Sequence, residues 1–245
     1  MVGENESRRW LVILMWGLAT IPPLLAVLTE LNKTHLVWYM RVVDFFDLIV
    51  LAPFYLASFL ALHGLIVYHE RRFAYWLGFV LIGAFMYGHA MHLTANAIDT
   101  YSFEIQDYKS IIPADSYALL HFFDENLGHW LLFGAYFALL GTWLWEDRFT
   151  GISWLHTVLP GMLLGAALAI AVVEGSHPWL GAVAVGLVLG LAFLRSRREH
   201  CSIVDLWKIH PVARFVIAAA LAMAVAELLY WIVMGGFVQP SELGY

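Results

Sequence analysis

The chain has 245 residues, of which 62% are hydrophobic and 13% charged, with a mean hydropathy of +0.75. A soluble domain is roughly 45–50% apolar and about 25% charged, so this composition excludes an ordinary soluble fold and is that of an integral, multi-pass membrane protein. The net charge of −6 offers no basic surface for nucleic acid. The single cysteine, Cys201, excludes an intrachain disulfide and a multi-cysteine zinc site.

A spanning helix needs ~20 predominantly apolar residues. Seven segments meet this requirement: Trp10–Thr29, Phe46–Tyr68, Phe73–Ala97, Tyr117–Trp145, Ile152–Val173, Trp179–Leu194 and Val212–Phe237. They predict an all-α bundle of about seven transmembrane helices, forming one domain over residues 1–245. The first segment follows Arg8-Arg9, is too long for a signal sequence and lacks a small-residue cleavage site, so no cleavable signal is expected. Pro22-Pro23 and Pro53 fall inside spans and predict bends, because proline removes a backbone donor that neighbouring helices or water can compensate. Asp44 and Asp47 enter the second span. A carboxylate there suits the helix dipole, with Asp47 the more inward of the two.

His63, His69 and His156 lie toward one end of the bundle, as a second site, a proton route or satisfied structural residues. Between the third and fourth spans runs a long mixed loop over 98–116, a lid, an entrance or a plain connector. Pro160, Gly161 and Gly165 predict a bend or a close helix contact in the fifth span. Gly186 and Gly190 form a GxxxG in the sixth, which permits close packing. Asn32-Lys33-Thr34 fits a glycosylation sequon, relevant only in a secretory eukaryotic setting.

Basic residues set the expected orientation. With the N-terminus in the cytoplasm, Arg8, Arg9, Arg71, Arg72, Arg148, Arg195, Arg197, Arg198, Lys208 and Arg214 are inside and only Lys33, Arg41 and Lys109 outside. That asymmetry satisfies the positive-inside rule and puts the C-terminus outside.

The densest polar chemistry lies at Tyr87–Trp130. Helical spacing puts His89, His92, Asn96 and Asp99 on one face of the third span. His121, Asp124, Glu125 and Gly128 share a face of the fourth, with His129 at its edge. In an antiparallel pair, facing residue numbers have a nearly constant sum. His89 with His129, His92 with Glu125 and Asn96 with His121 all add to 217 or 218, so the polar groups are expected at matched depths. Imidazoles and carboxylates on facing helices are how bundles hold transition metals. His89, His92, His121, Asp124, Glu125 and His129 are the expected ligands of zinc, iron or copper. Asn96, Glu174 and His177 are possible additions. The competing readings are a metal-free proton or ion path and structural His–carboxylate pairing, since buried ionisable groups in a membrane mark function or pair with one another.

Glu227 sits inside the seventh span with no charge near it in sequence. It is a candidate proton carrier, or a further ligand if that span packs on the third and fourth. The architecture resembles the membrane metal hydrolases that include alkaline ceramidases and progestin/adiponectin-type receptors. Those are expected to carry a histidine pair on the last helix, where this chain has Glu227. The likeness is architectural only and transfers no residue role.

The expected function is therefore a membrane metalloenzyme, a hydrolase or an oxidoreductase, acting on an apolar or lipid substrate. Glu125, Asp124 and Glu227 are its candidate acid–base residues. The alternatives are a proton- or ion-coupled transporter and a cofactor-anchoring subunit of an oligomer or larger membrane complex.

Overall fold

Helix α1 (Glu4–Glu30) starts before the first apolar stretch, with Glu4 and Glu6 in its first turn. Two carboxylates there suit the positive end of the helix dipole, and Glu4 also pairs with Arg8 at 2.6 Å. Pro22 and Pro23 lie inside α1, which continues through them. The computed structural model describes residues 3–30, 35–37, 40–99, 101–102 and 113–238. The Asn32–Thr34 sequon and the middle of the 98–116 loop lie outside the described residues.

A short antiparallel ladder, β1 (His35–Val37) with β2 (Met40–Arg41), precedes the second span. That span has three parts: α2 (Val42–Phe46), a π-helical turn over Asp47–Leu51, and α3 (Ala52–Ile66). Pro53 falls in the first turn of α3, where its missing N–H costs nothing. The bend expected at Pro53 is thus a π turn just before it. Helix α4 (Arg72–Asp99) is the third span. The fourth is also interrupted: α5 (Ala114–His121), a π segment over Phe122–Gly128, then α6 (His129–Glu146).

Helices α7 (Leu155–Glu174) and α8 (Pro178–Arg198) follow, then the short α9 (Ile203–Ile209) and α10 (Pro211–Met234). Among the described residues, seven helices, counting the interrupted ones as single spans, are long and apolar enough to cross a membrane. Large apolar side chains cover the outside of the bundle, among them Val80, Ile170, Leu229 and Val233. That outward apolarity is what a lipid-facing surface requires.

Helix α10 lies between α7 and α8 and touches α6, while α4 packs along α6. The α7–α10 contact is backbone-close. A Cβ at Gly161 would come 2.5 Å from the Phe215 carbonyl oxygen, and one at Gly165 would overlap the Ala219 carbonyl. The expected contact in the fifth span is therefore present. The GxxxG of Gly186 and Gly190 faces open space instead. Inside, Phe59 meets Phe85 at 4.9 Å and Tyr136 at 5.3 Å between ring centroids, with Trp143 at 5.9 Å. These rings fill the middle of the bundle.

The arginine-rich end is locked by Asp147, just past α6. Its Oδ2 accepts from the N–H groups of Val212 (2.7 Å) and Ala213 (3.0 Å), and Oδ1 accepts from Phe149 N–H at 3.0 Å. It thereby caps α10, whose first-turn donors have no partner within the helix. Burial pushes the Asp147 carboxyl up to about 6, against the pull of those amides and Arg195. The folded protein therefore binds this proton more tightly than the unfolded chain does. The stability it contributes is full below about pH 4 and is lost as pH rises through about 6.

His210, 3.1 Å from Glu199, has the opposite sign. Burial and Arg195 lower its pKa below 6.5, so its contribution is lost as pH falls. Asp147→Asn should remove the first effect and leave the second. On acidification from about pH 7 to about pH 5, wild-type melting temperature should rise relative to that of the variant. Parallel pH profiles for the two proteins would contradict this assignment.

Candidate functional site

Two glycines bring α4 and the fourth span into backbone contact. A Cβ at Gly88 would lie 2.7 Å from Leu132 N and 2.8 Å from Gly128 O, and one at Gly128 would lie 3.3 Å from His92. Facing numbers here add to 220, from Gly88 with Leu132 and His92 with Gly128. Gly88 also meets Gly128 O and Leu131 Cβ, at sums of 216 and 219, so the contacts straddle the expected 217 or 218.

The π segment changes which side chains meet. Its i→i+5 bonding brings residues five apart toward one side, so Asp124 and His129 both approach His92. Asp124 Oδ1 is 2.6 Å from His92 Nδ1, and the His92 and His129 rings are 4.5 Å apart. The expected facing pairs, His92 with Glu125 and His89 with His129, give way to these. Glu125 instead lies beside His129 on its own helix, Oε2 to Nδ1 3.6 Å.

His89 turns toward the second span. Its Nε2 is 3.2 Å from Asp47 Oδ1, and its ring stacks on Phe85 at 6.0 Å and 8°. Asp47 therefore points inward, and a histidine, more than the helix dipole, accounts for its position. Asp44 by contrast is tied to Arg41 at 3.1 Å. Both carboxylates that meet a histidine of α4, Asp47 and Asp124, occupy π turns. Single π turns inside α-helices are rare and gather at functional sites.

His177 arrives from the α7–α8 corner, 5.8 Å from the His129 ring and 6.1 Å from Trp130. Gly175 makes room for it: a Cβ there would come 2.9 Å from His129 Nδ1. Glu174 is half-buried beside this corner. Asn96, one helical turn beyond His92, is also half-buried, whereas His121 is exposed and stacks on Tyr117 at 6.2 Å. His121 still lies close enough to Glu125 to act on its charge, as do His92 and His177.

Glu227 is not between α4 and α6. It packs on Gly181 of α8, one turn past His177, toward the end of α10 and away from its middle. Among the described residues Glu227 Oε1 has no hydrogen-bond partner. His63 and His69 do not join the group. His63 binds the Tyr75 carbonyl at 2.9 Å through Nε2, and His69 pairs at the surface with Glu70.

The cluster is floored by aromatic rings, with Tyr55 and Phe85 under His89 and Phe133 under His129. His89, His129 and His177 are each 6% exposed and Asp124 8%, values at which polar atoms need partners. His129 Nδ1 donates to the Glu125 carbonyl at 3.0 Å and His177 Nδ1 to the Gly175 carbonyl. That tautomer leaves each Nε2 with a free lone pair, the usual preparation of a metal-ligating imidazole.

Four atoms remain buried without an acceptable hydrogen bond: His89 Nε2, His92 Nδ1, Asp124 Oδ1 and Glu125 Oε2. His92 and Asp124 thus meet at 2.6 Å without hydrogen-bond geometry. Among the described residues, no three His, Cys, Asp or Glu side chains are already gathered closely enough to hold a metal ion.

Fold and site together define a multi-pass helical membrane protein with a buried His/carboxylate cluster between its spans. No protein-family model, curated protein or solved structure matches the chain. Its chemistry is therefore read from its own residues.

Proposed function

We propose that the protein is a membrane metalloenzyme whose metal is held by His92, Asp124 and His129. Glu125 is its general base or a further ligand, and His177 the nearest additional imidazole. The observation that carries this reading is that buried His92 Nδ1, Asp124 Oδ1 and Glu125 Oε2 crowd one another and His129 in ion-pair contacts, with no well-formed hydrogen bond among the described residues. A buried polar atom left without a partner costs about 1–3 kcal/mol, and a cation would satisfy several at once.

When bound, the metal supplies Lewis acidity and an activated water or oxygen. The chain's own residues do the rest. Asp47 orients His89, the Glu125 carbonyl fixes the His129 tautomer, and the Tyr55–Phe85 floor keeps water out. The substrate is an apolar or lipid molecule that enters from the bilayer, a reading supported by the cluster's place within the membrane-spanning helices.

Elemental analysis of the purified protein, with an absorption spectrum, tests the proposal. Zinc without a visible band fits a hydrolase, and iron or copper fits an oxidoreductase. Protein that binds none of these after incubation with each metal would end the reading.

One observation favours a second reading, a proton- or ion-coupled transporter. Glu227, 6% exposed and with Oε1 lacking a hydrogen-bond partner among the described residues, packs on Gly181, itself one turn past His177, and a buried carboxyl there could carry a proton. Glu227→Gln keeps size and hydrogen bonding but cannot carry charge. It should insert normally and lose activity or transport; full function would reduce Glu227 to a packing residue.

Orientation completes the proposal. A reporter fused after Tyr245 should lie outside the cytoplasm and one inserted near Arg197 inside, as the basic asymmetry requires. Both reporters on one side would refute it.

A further inference from the structure

Far from the histidine cluster, a cavity of about 170 Å³ opens at the arginine-rich end, lined by Arg71, Arg148, Arg195 and Arg198. A liquid-like water takes about 30 Å³, so the space admits five or six such groups, the size of a phosphate with its ester oxygens. Three carboxylates share the lining, but each is engaged. Asp147 is spent on the amides of α10, and Glu199 holds Arg195 at 2.7 Å and His210 at 3.1 Å. Glu146 stands 3.8 Å from Arg71.

Arg148 and Arg198 are left over. Arg148 lies over the Tyr68 ring at 3.6 Å and Arg198 near the Trp145 ring at 5.2 Å. Neither has a hydrogen-bond or ion-pair partner among the described residues. Each guanidinium lies within cation–π range of its ring, and its N–H groups remain available to meet an anion with two parallel bonds.

We infer that this cavity binds a phosphate group through Arg148 and Arg198, with Arg71 as a third cation. Its place in the fold favours a phospholipid headgroup. The cavity lies where α4 begins and α6 and α8 end, beside Tyr68 and Trp145, at the depth of an interfacial aromatic belt. Basic pockets between spans at that depth take anionic headgroups. A free phosphate offers the same oxygens, and the test separates the two sources.

The test is native mass spectrometry of the full-length protein with phosphatidylglycerol, with phosphatidylcholine and with inorganic phosphate, for wild type and for Arg148→Ala/Arg198→Ala. Wild type should retain phosphatidylglycerol over phosphatidylcholine, and the double variant should hold it at least about tenfold more weakly, having lost two charge-assisted contacts. Retention of inorganic phosphate alone, lost in the variant, would identify a small anion as the ligand. If the alanine variant fails to fold, Arg148→Lys/Arg198→Lys keeps both charges and removes the forks, and should weaken retention several-fold. Anionic ligands held equally by wild type and a folded variant would overturn the inference.

Discussion

His92→Ala and His129→Ala should each strip the metal from the purified protein. The two imidazoles come from different spans and lie 4.5 Å apart at their ring centres, so a metal between them needs both sides. Losing a group that only orients a ligand weakens metal affinity by ~10–100-fold, and losing a ligand should do at least as much. His35→Ala, outside the cluster in sequence, serves as the control and should leave the metal content intact. Asp47→Asn should weaken metal binding less than either alanine variant, since Asp47 pairs with His89 and with none of the three proposed ligands.

The competing account, in which these residues only hold helices together, predicts a different pattern. Removing one partner of a metal-free pair strands the other and mainly lowers stability. Metal content and melting temperature should therefore be measured together, with and without a strong chelator. Wild type that melts identically in both, with His129→Ala keeping a full metal complement, would sink the metal reading.

Gly165→Val should be among the most destabilising single changes outside the site. In a bilayer, helices gain little from excluding lipid, and close packing of small residues holds them together. A Cβ at Gly165 meets the Ala219 carbonyl of α10 directly, and Gly161 is similarly placed against Phe215. The obstacle is backbone, which cannot rotate aside, so α7 and α10 must separate. Overpacking costs about 1–3 kcal/mol where side chains can yield, and the upper part of that range or more is expected here.

Gly186→Val is the matched control. Its Cβ would meet nothing within 4 Å, although Gly186 and Gly190 have the same GxxxG spacing as Gly161 and Gly165. Equal thermal stability of the two variants in detergent would mean that the α7–α10 contact is not close.

Span number and approximate limits were legible in the sequence because burial in lipid demands long apolar runs, and every such run became a helix. The concentration of chemistry at Tyr87–Trp130 was legible for the converse reason: ionisable groups are costly there, so their presence stands out. The partners of those groups were not. A straight α-helix places Glu125 opposite His92, whereas the π segment over Phe122–Gly128 brings Asp124 there. Nothing in FFDENLG announces an i→i+5 turn, since it depends on which backbone bonds the neighbouring helix allows.

Asp47 shows the same limit. As a residue near a helix start it invites a dipole explanation, and only the packing of the second span on α4 reveals His89 beside it. His177 and Gly175 had a local signal in EGSHPW, but their value comes from a corner that lands on His129. Periodicity likewise gave equal standing to two pairs of glycines, and tertiary structure set Gly161 and Gly165 against a backbone and Gly186 and Gly190 against open space.

The sequence by itself determined the solvent, the helices and the kinds of donor available, because each follows from the transfer cost of single residues. Register between spans, the choice of Asp124 over Glu125, the distance of Glu227 from the α4–α6 cluster and the arginine-lined cavity were decided only by the tertiary structure. Those depend on how closely two backbones approach, which glycines and π turns set from opposite sides of each contact.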